Sequence, residues 1–301
     1  MVVLLLIVSG EKFNDMYLKK NNQKHTIMIK KTLRKILEKK GYSVQKKEYL
    51  EMLQKNHLNE LQTVRKNLLN EIESVYKCLF MDNVVPAKED RWMFLNQLIG
   101  TSLGEAMYIL QSLHKGLQYR GDICEFGVAQ GATSLLLASE ILQTQKHLWL
   151  FDSFEGLPRP TEKDKLIDDI FNLGSMEAYK GTMSCPEDMV KKKLTQIDIP
   201  LERIHICKGW INETIKSKNV PSEVCFAYVD FDFYEPIKDA LNYLDEVIVL
   251  GGEIIVDDYK WFSEGAQIAV DEFINEKKNR YKLSLPIEAA GKFAILSRVN
   301  L

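Results

Sequence analysis

The stretch Asp122-Ile123-Cys124-Glu125-Phe126-Gly127-Val128-Ala129-Gln130-Gly131-Ala132-Thr133-Ser134 decides the fold. Its first part, Asp122 to Phe126, is short, apolar and poor in polar alternation, which predicts a strand covered on both faces of a parallel sheet. Two glycines follow, and helical periodicity runs over Ala132 to Leu142. A strand that passes through a glycine turn into a helix is the first half of a βαβ unit. At such a turn Gly127 and Gly131 let the backbone pass close to a ligand, and the helix opening at Thr133-Ser134 offers free N–H groups. The turn lacks the full G-x-G-x-x-G fingerprint, and a purely structural βα turn would carry the same residues.

Similar runs lie downstream at His147 to Asp152, Arg203 to Cys207, Val224 to Asp230 and Gly252 to Val256, with a second helical pattern over Pro236 to Val249. Strands alternating with helices predict an α/β doubly wound, mostly parallel sheet. Lys282 to Ile287 and Phe293 to Val299, joined through Ala289-Ala290-Gly291, read as a closing C-terminal β-hairpin. Upstream of Pro86 the pattern is helical, from His25 to Lys40 and from Gln45 to Phe80. In the second stretch Leu50, Leu53, Leu61, Val64, Leu68, Ile72, Val75 and Leu79 recur at helical spacing without a proline or glycine between them, as in a long packing helix or short coiled coil. The expected division is a helical N-terminal extension over residues 1–85, serving as scaffold, dimer surface or substrate lid, and an α/β domain over 86–301.

With 46% apolar and 27% charged residues among 301, the chain has a soluble, globular composition. Residues 1–85 hold 16 Lys+Arg against 9 Asp+Glu, and residues 86–301 hold 24 against 33, so the two parts carry +7 and -9. An acidic α/β domain repels phosphate backbones, which excludes a nucleic-acid partner, and it favours a cation. The five cysteines are odd in number and form no C-x-x-C pair, as expected of buried free thiols in a reducing compartment. The apolar run at residues 2–8 is too short to span a bilayer and lacks a basic flank and a cleavage site, so neither membrane insertion nor export is expected and the location is cytoplasmic.

Doubly wound sheets bind ligands at the carboxyl ends of their strands. Asp152 closes the second strand 25 residues after Gly127, with Ser153 next to it, and is placed to accept hydrogen bonds from ribose hydroxyls of a nucleoside. Asp152 also suits a plain cap of the turn Ser153-Phe154-Glu155-Gly156. Lys208-Gly209-Trp210 ends the third strand with an indole on which an adenine can stack, although Trp210 suits a core position equally. Two further strands end in paired carboxylates, Asp230 with Asp232 and Asp257 with Asp258. Brought together without a cation such acids repel, and an all-oxygen donor set selects Mg²⁺ or Mn²⁺; the alternative is that they cap loops and face water.

Five runs taken in order resemble the macrocin O-methyltransferase family: Glu125 to Ser134, Phe151 to Pro158, Gly209 to Thr214, Asp230 to Glu235 and Gly251 to Tyr259. The resemblance covers roughly residues 90 to 300 and implies a Rossmann-like class I fold that uses S-adenosyl-L-methionine and a divalent metal to methylate a sugar hydroxyl. It implies that Glu125 and the turn through Ala129 hold the methionine part of the cofactor and that Asp152 binds its ribose. Asp230, Asp257 and Asp258 match the family's metal-binding acids, and Asp232 its general base. Gln97 stands where relatives often have a threonine that reaches the cofactor, and Phe126 to Gln130 lacks their usual cysteine and arginine. The expected partners are a small-molecule hydroxyl acceptor, a sugar by resemblance, and a second copy of the chain in a homo-oligomer. Two rivals stay open: a metal-dependent hydrolase or hydroxylase on the same sheet, and a non-catalytic interaction protein working through its N-terminal helices.

Overall fold

A computed structural model describes Lys35 and residues 47–79, 81–82 and 84–300. The apolar run at residues 2–8 and all of His25 to Lys40 except Lys35 lie outside the described residues. In chain order the helices are α1 (Lys47–Leu79), α2 (Arg91–Leu95), α3 (Leu103–Gly116), α4 (Ala132–Glu140), α5 (Glu187–Leu194), α6 (Ile211–Thr214), α7 (Tyr234–Val247) and α8 (Glu264–Glu276). The strands are β1 (Asp122–Phe126), β2 (Leu148–Asp152), β3 (Ile204–Lys208), β4 (Val224–Val229), β5 (Ile248–Val256), β6 (Tyr281–Ser284) and β7 (Ala294–Arg298).

The strands form one sheet in the order β3-β2-β1-β4-β5-β7-β6. β1 to β5 are parallel, and β7 pairs antiparallel with both β5 and β6, so the expected hairpin closes the sheet. β5 starts at Ile248, ahead of the expected Gly252. The helix ends at Val247, and Gly251 in β5 has φ +84° with no room for a side chain, since an added Cβ would lie 2.3 Å from the Tyr119 ring. One apolar layer packs α3, α4 and α5 on the face that bears Ile123 and Leu150; α7 and α8 cover the other, bearing Phe126 and Phe151. Burying both faces is what lets parallel strands consist of apolar runs.

The chain divides into compact units at Val64/Arg65, inside α1. In the first unit the described residues are Lys35 and residues 47–64, all helical. The second unit begins ahead of Pro86 because Leu69, from the last turns of α1, joins Phe94, Leu95, Leu110 and Leu136 in one core cluster. A buried ion-pair network reinforces that contact. Arg91, 0% exposed, donates to both oxygens of Glu140 at 2.9 Å and to Glu73 Oε1 at 2.6 Å.

Candidate active site at the β1–β4 switch point

Strand register builds the site. Phe126 pairs with Phe151 on one side and Val229 on the other, and Val229 pairs with Val256. The residues that follow this row are Gly127, Asp152, Asp230 and Asp257, so four separate sequence signals arrive side by side. They meet where the strand order reverses between β1 and β4, the crevice in which doubly wound sheets bind ligands.

The glycine turn is bent as expected, with φ +87° at Gly127, +44° at Ala129 and +70° at Gly131, the N-cap of α4. Its glycines answer to the protein itself. An added Cβ on Gly127 would lie 1.8 Å from the Asp230 carbonyl oxygen, and one on Gly131 would lie 3.0 Å from Val190. Asp152 Oδ2 accepts from the backbone N–H of Val128 at 2.7 Å and Ala129 at 3.0 Å, while Oδ1 accepts from Phe154 at 2.6 Å. Asp152 therefore shapes the turn and caps its own loop, as the alternative reading of its sequence position expects. Ser153 Oγ accepts from Glu155 N, which places it in the same cap.

Glu125, 1% exposed, carries an Oε2 without a hydrogen-bond partner. Burial drives the Glu125 carboxyl up to about 8, Ser134 drawing it only partly back. Gly209 donates its N–H to the Asp152 carbonyl at 2.9 Å. Trp210 is half-buried and lines a cavity of about 180 Å³ with Pro158, Asn212, Phe233, Glu235 and Asp239. The Gln97 Nε2 donates to Gln196 Oε1 at 3.1 Å. Thr101 approaches the turn instead, its hydroxyl 3.1 Å from that of Thr133 in the first turn of α4.

Among the described residues Asp230, Asp232 and Asp258 place one carboxylate oxygen each within 4.8 Å of one another. Asp257 stands next to this group; its Oδ1 accepts from Asp258 N at 2.8 Å and its Oδ2 from the Tyr228 hydroxyl at 3.0 Å. Desolvation first and the neighbouring acids second hold Asp230, Asp232 and Asp258 well above the ordinary carboxylate range. Asp232 and Asp258 have φ of 62° and 59°, a left-handed conformation that costs an ordinary residue of order 1–3 kcal/mol and that clusters at ligand sites. Repulsion and desolvation at one point are what a hard divalent cation would relieve.

Sequence reading missed Glu105 and Tyr228. The Tyr228 hydroxyl lies 3.0 Å from Glu105 and 3.3 Å from Asp230 Oδ2. Strand alternation puts Tyr228 on the same side as Asp230, which was a usable signal. Ser102-x-x-Glu105 has the form of a capping box, and Ser102 Oγ does accept from Glu105 N at 3.0 Å. The Glu105 side chain turns inward instead, where burial and then Asp257 raise its carboxyl far above normal.

A seven-stranded, mostly parallel sheet with a glycine turn, an acid closing β2 and an acidic cluster at its switch point defines a class I methyltransferase fold. The solved O-methyltransferase NovP superposes with a TM-score of 0.55 and 22% identity over 66% of this chain and 81% of its own. The calicheamicin methyltransferase CalS11 gives 0.50 and 19% over 78% and 91%. Residues 31–295 match the macrocin-O-methyltransferase (TylF) family, and the chain belongs to that family. Relatives include an 8-demethyl-8-(2,3-dimethoxy-alpha-L-rhamnosyl)-tetracenomycin-C 4'-O-methyltransferase of Streptomyces olivaceus, 26% identical over 56% of this chain and 61% of that protein. A mycinamicin III 3''-O-methyltransferase of Micromonospora griseorubida is 26% identical over 54% and 63%. These matches span less than two thirds of the relatives' own length.

Proposed function

We propose that this chain is an S-adenosylmethionine-dependent, Mg²⁺-dependent O-methyltransferase whose acceptor is a hydroxyl of a sugar or glycosylated metabolite. The observation that carries the reading is the pairing, across β1 and β4, of an orphaned buried Glu125 Oε2 with the Asp230, Asp232 and Asp258 cluster. The buried carboxyl, with its Oε2 unpartnered, fits the cationic amine of an amino-acid moiety, and the acids fit a hard cation. When bound, the cofactor supplies an electrophilic sulfonium methyl, and Mg²⁺ or Mn²⁺ supplies a Lewis acid that stabilises an ionised hydroxyl.

The chain's residues divide the remaining tasks. Glu125, Gly127 to Ala129 and the first turn of α4 at Ser134 hold the amino-acid end; Asp152 takes the ribose, with Ser153, Gly209 and Trp210 around the adenine. Asp230 and Asp258, with Asp257 beside them, hold the cation. Asp232 accepts the proton at the acceptor oxygen, a role worth about 10²- to 10⁴-fold. Holding oxygen, methyl and sulfur in line lowers the barrier by roughly 7 to 11 kcal/mol more. The 4'-O- and 3''-O-methyltransferase activities named for the Streptomyces and Micromonospora relatives support a small-molecule sugar acceptor. The loop over Leu157 to Thr182, anchored where Asp164 Oδ1 accepts from Tyr234 N, is placed to select that acceptor.

We also read the protein as a cytoplasmic homo-oligomer. No helix among the described residues is long and apolar enough to cross a membrane, and Leu68, Val75 and Leu79 expose an apolar face of α1 that supports self-association. The deciding experiment incubates metal-stripped protein with labelled S-adenosylmethionine and a panel of glycosides, with and without Mg²⁺. Label transfer that requires the metal is expected. Absence of S-adenosylhomocysteine binding in calorimetry would instead favour a hydrolase or hydroxylase.

A further inference from the structure

Behind the acid cluster lies a layer that the proposed chemistry does not use. The Tyr228 side chain is 0% exposed, and its hydroxyl sits among three carboxyl groups: Glu105 at 3.0 Å, Asp257 Oδ2 at 3.0 Å and Asp230 Oδ2 at 3.3 Å. A phenol has a single proton to donate, so it cannot satisfy three acids at once. Its placement is nonetheless fixed from two directions: the backbone of β4 points it the same way as Asp230, and the β4–β5 register brings Asp257 alongside through the Asp257 N–H to Val229 carbonyl bond of 2.8 Å.

We propose that Tyr228 is a positioning residue for the divalent cation. Its hydroxyl, with one proton to share between Asp257 Oδ2 at 3.0 Å and Asp230 Oδ2 at 3.3 Å, keeps Asp257 beside the Asp230, Asp232 and Asp258 group when their mutual charge would drive it off, and Glu105 flanks the phenol from the first turn of α3. The inference rests on the reading of Asp230 and Asp258, with Asp257 beside them, as a cation site. Outer-shell partners of metal ligands are worth about 10- to 100-fold in affinity, and one hydroxyl shared between two acids belongs at the lower end of that range.

The test measures Mn²⁺ binding to the full chain by calorimetry, together with thermal midpoints in EDTA and in Mn²⁺. For Tyr228→Phe, Mn²⁺ affinity falls about tenfold, equivalent to about 1.4 kcal/mol, the S-adenosylhomocysteine affinity is kept, and the midpoint gained on adding Mn²⁺ shrinks while the EDTA midpoint stays within about 3 °C. A merely structural tyrosine would instead lower both midpoints equally, and that result overturns the proposal. So does a Tyr228→Phe protein that binds Mn²⁺ as the unsubstituted chain does. Glu105→Gln keeps a hydrogen-bonding partner for the phenol and should bind Mn²⁺ within about threefold of the original; a loss as large as that of Tyr228→Phe refutes the assignment to the phenol. If the unsubstituted protein binds no Mn²⁺, the cation reading itself fails, a result distinguishable from failure of the Tyr228 inference alone.

Discussion

Gly127→Ala tests whether the cofactor turn and the acid cluster form one mechanical unit. The added Cβ would sit 1.8 Å from the Asp230 carbonyl oxygen, where ordinary contact begins at 3.4 Å, so one of the two backbones must recede by 1.6 Å. Neither is free to do so. Gly127 N–H donates to Phe151 at 2.9 Å and Asp230 N–H to Phe126 at 2.7 Å. An L-residue at φ +87° costs roughly 1–2 kcal/mol, and losing one of those hydrogen bonds adds about 1 kcal/mol. The total of about 2–3 kcal/mol should lower the thermal midpoint by roughly 4–12 °C in a unit of this size. Because the displaced backbone carries Asp230, affinities for S-adenosylhomocysteine and Mn²⁺ should both fall more than about tenfold, a loss of 1.4 kcal/mol or more in each. Gly174→Ala is the control, since Gly174 has φ +80° and nothing within 4 Å of an added Cβ. It bears the conformational cost alone and should leave both affinities intact. A Gly127→Ala protein that matches Gly174→Ala in midpoint and in both affinities refutes the reasoning.

Three other outcomes are expected. Arg91→Met leaves Glu140 and Glu73 without their buried cation and should cost about 3–5 kcal/mol in urea unfolding at neutral pH. Burial alone would raise the Glu140 carboxyl, but hydrogen bonds from His114 and Arg91 bring it down to about 2. The stability it contributes is therefore present above pH 4.5 and lost as pH falls towards about 2, and Arg91→Met should flatten that acid limb. Glu125, raised to about 8, holds a proton at pH 7 in the ligand-free protein. Its sign is opposite: the folded state binds the extra proton, so stability declines as pH rises from 4.5 towards 8. Binding of a cationic amine against Glu125 should release that proton at pH 7, seen as a buffer-dependent heat in calorimetry, and Glu125→Gln should abolish the buffer dependence. Asp232→Asn should lower turnover by about 10²- to 10⁴-fold with S-adenosylhomocysteine binding kept; full activity in single-turnover assays would remove Asp232 from the proton transfer.

The sequence by itself determined the alternation of strands and helices, the glycine turn and the carboxylates at strand ends, because each is written in a few consecutive residues whose burial and backbone geometry are local. β1 falls at Asp122–Phe126 as expected, and β2, β3 and β4 within a residue of expectation. Only the tertiary structure decided which signals meet. The pairing of Phe126 with Phe151 and Val229, and of Val229 with Val256, is a long-range register that no local pattern encodes. The same holds for side-chain direction. Gln97 turns to Gln196 while Thr101 approaches the turn, and Glu105 leaves its capping box for Tyr228. Asp232 joins Asp230 and Asp258 while Asp257 bonds the phenol. A glycine, too, shows in sequence only that a side chain is excluded; the Asp230 carbonyl that excludes it at Gly127 comes from a strand about a hundred residues away, brought there by the sheet.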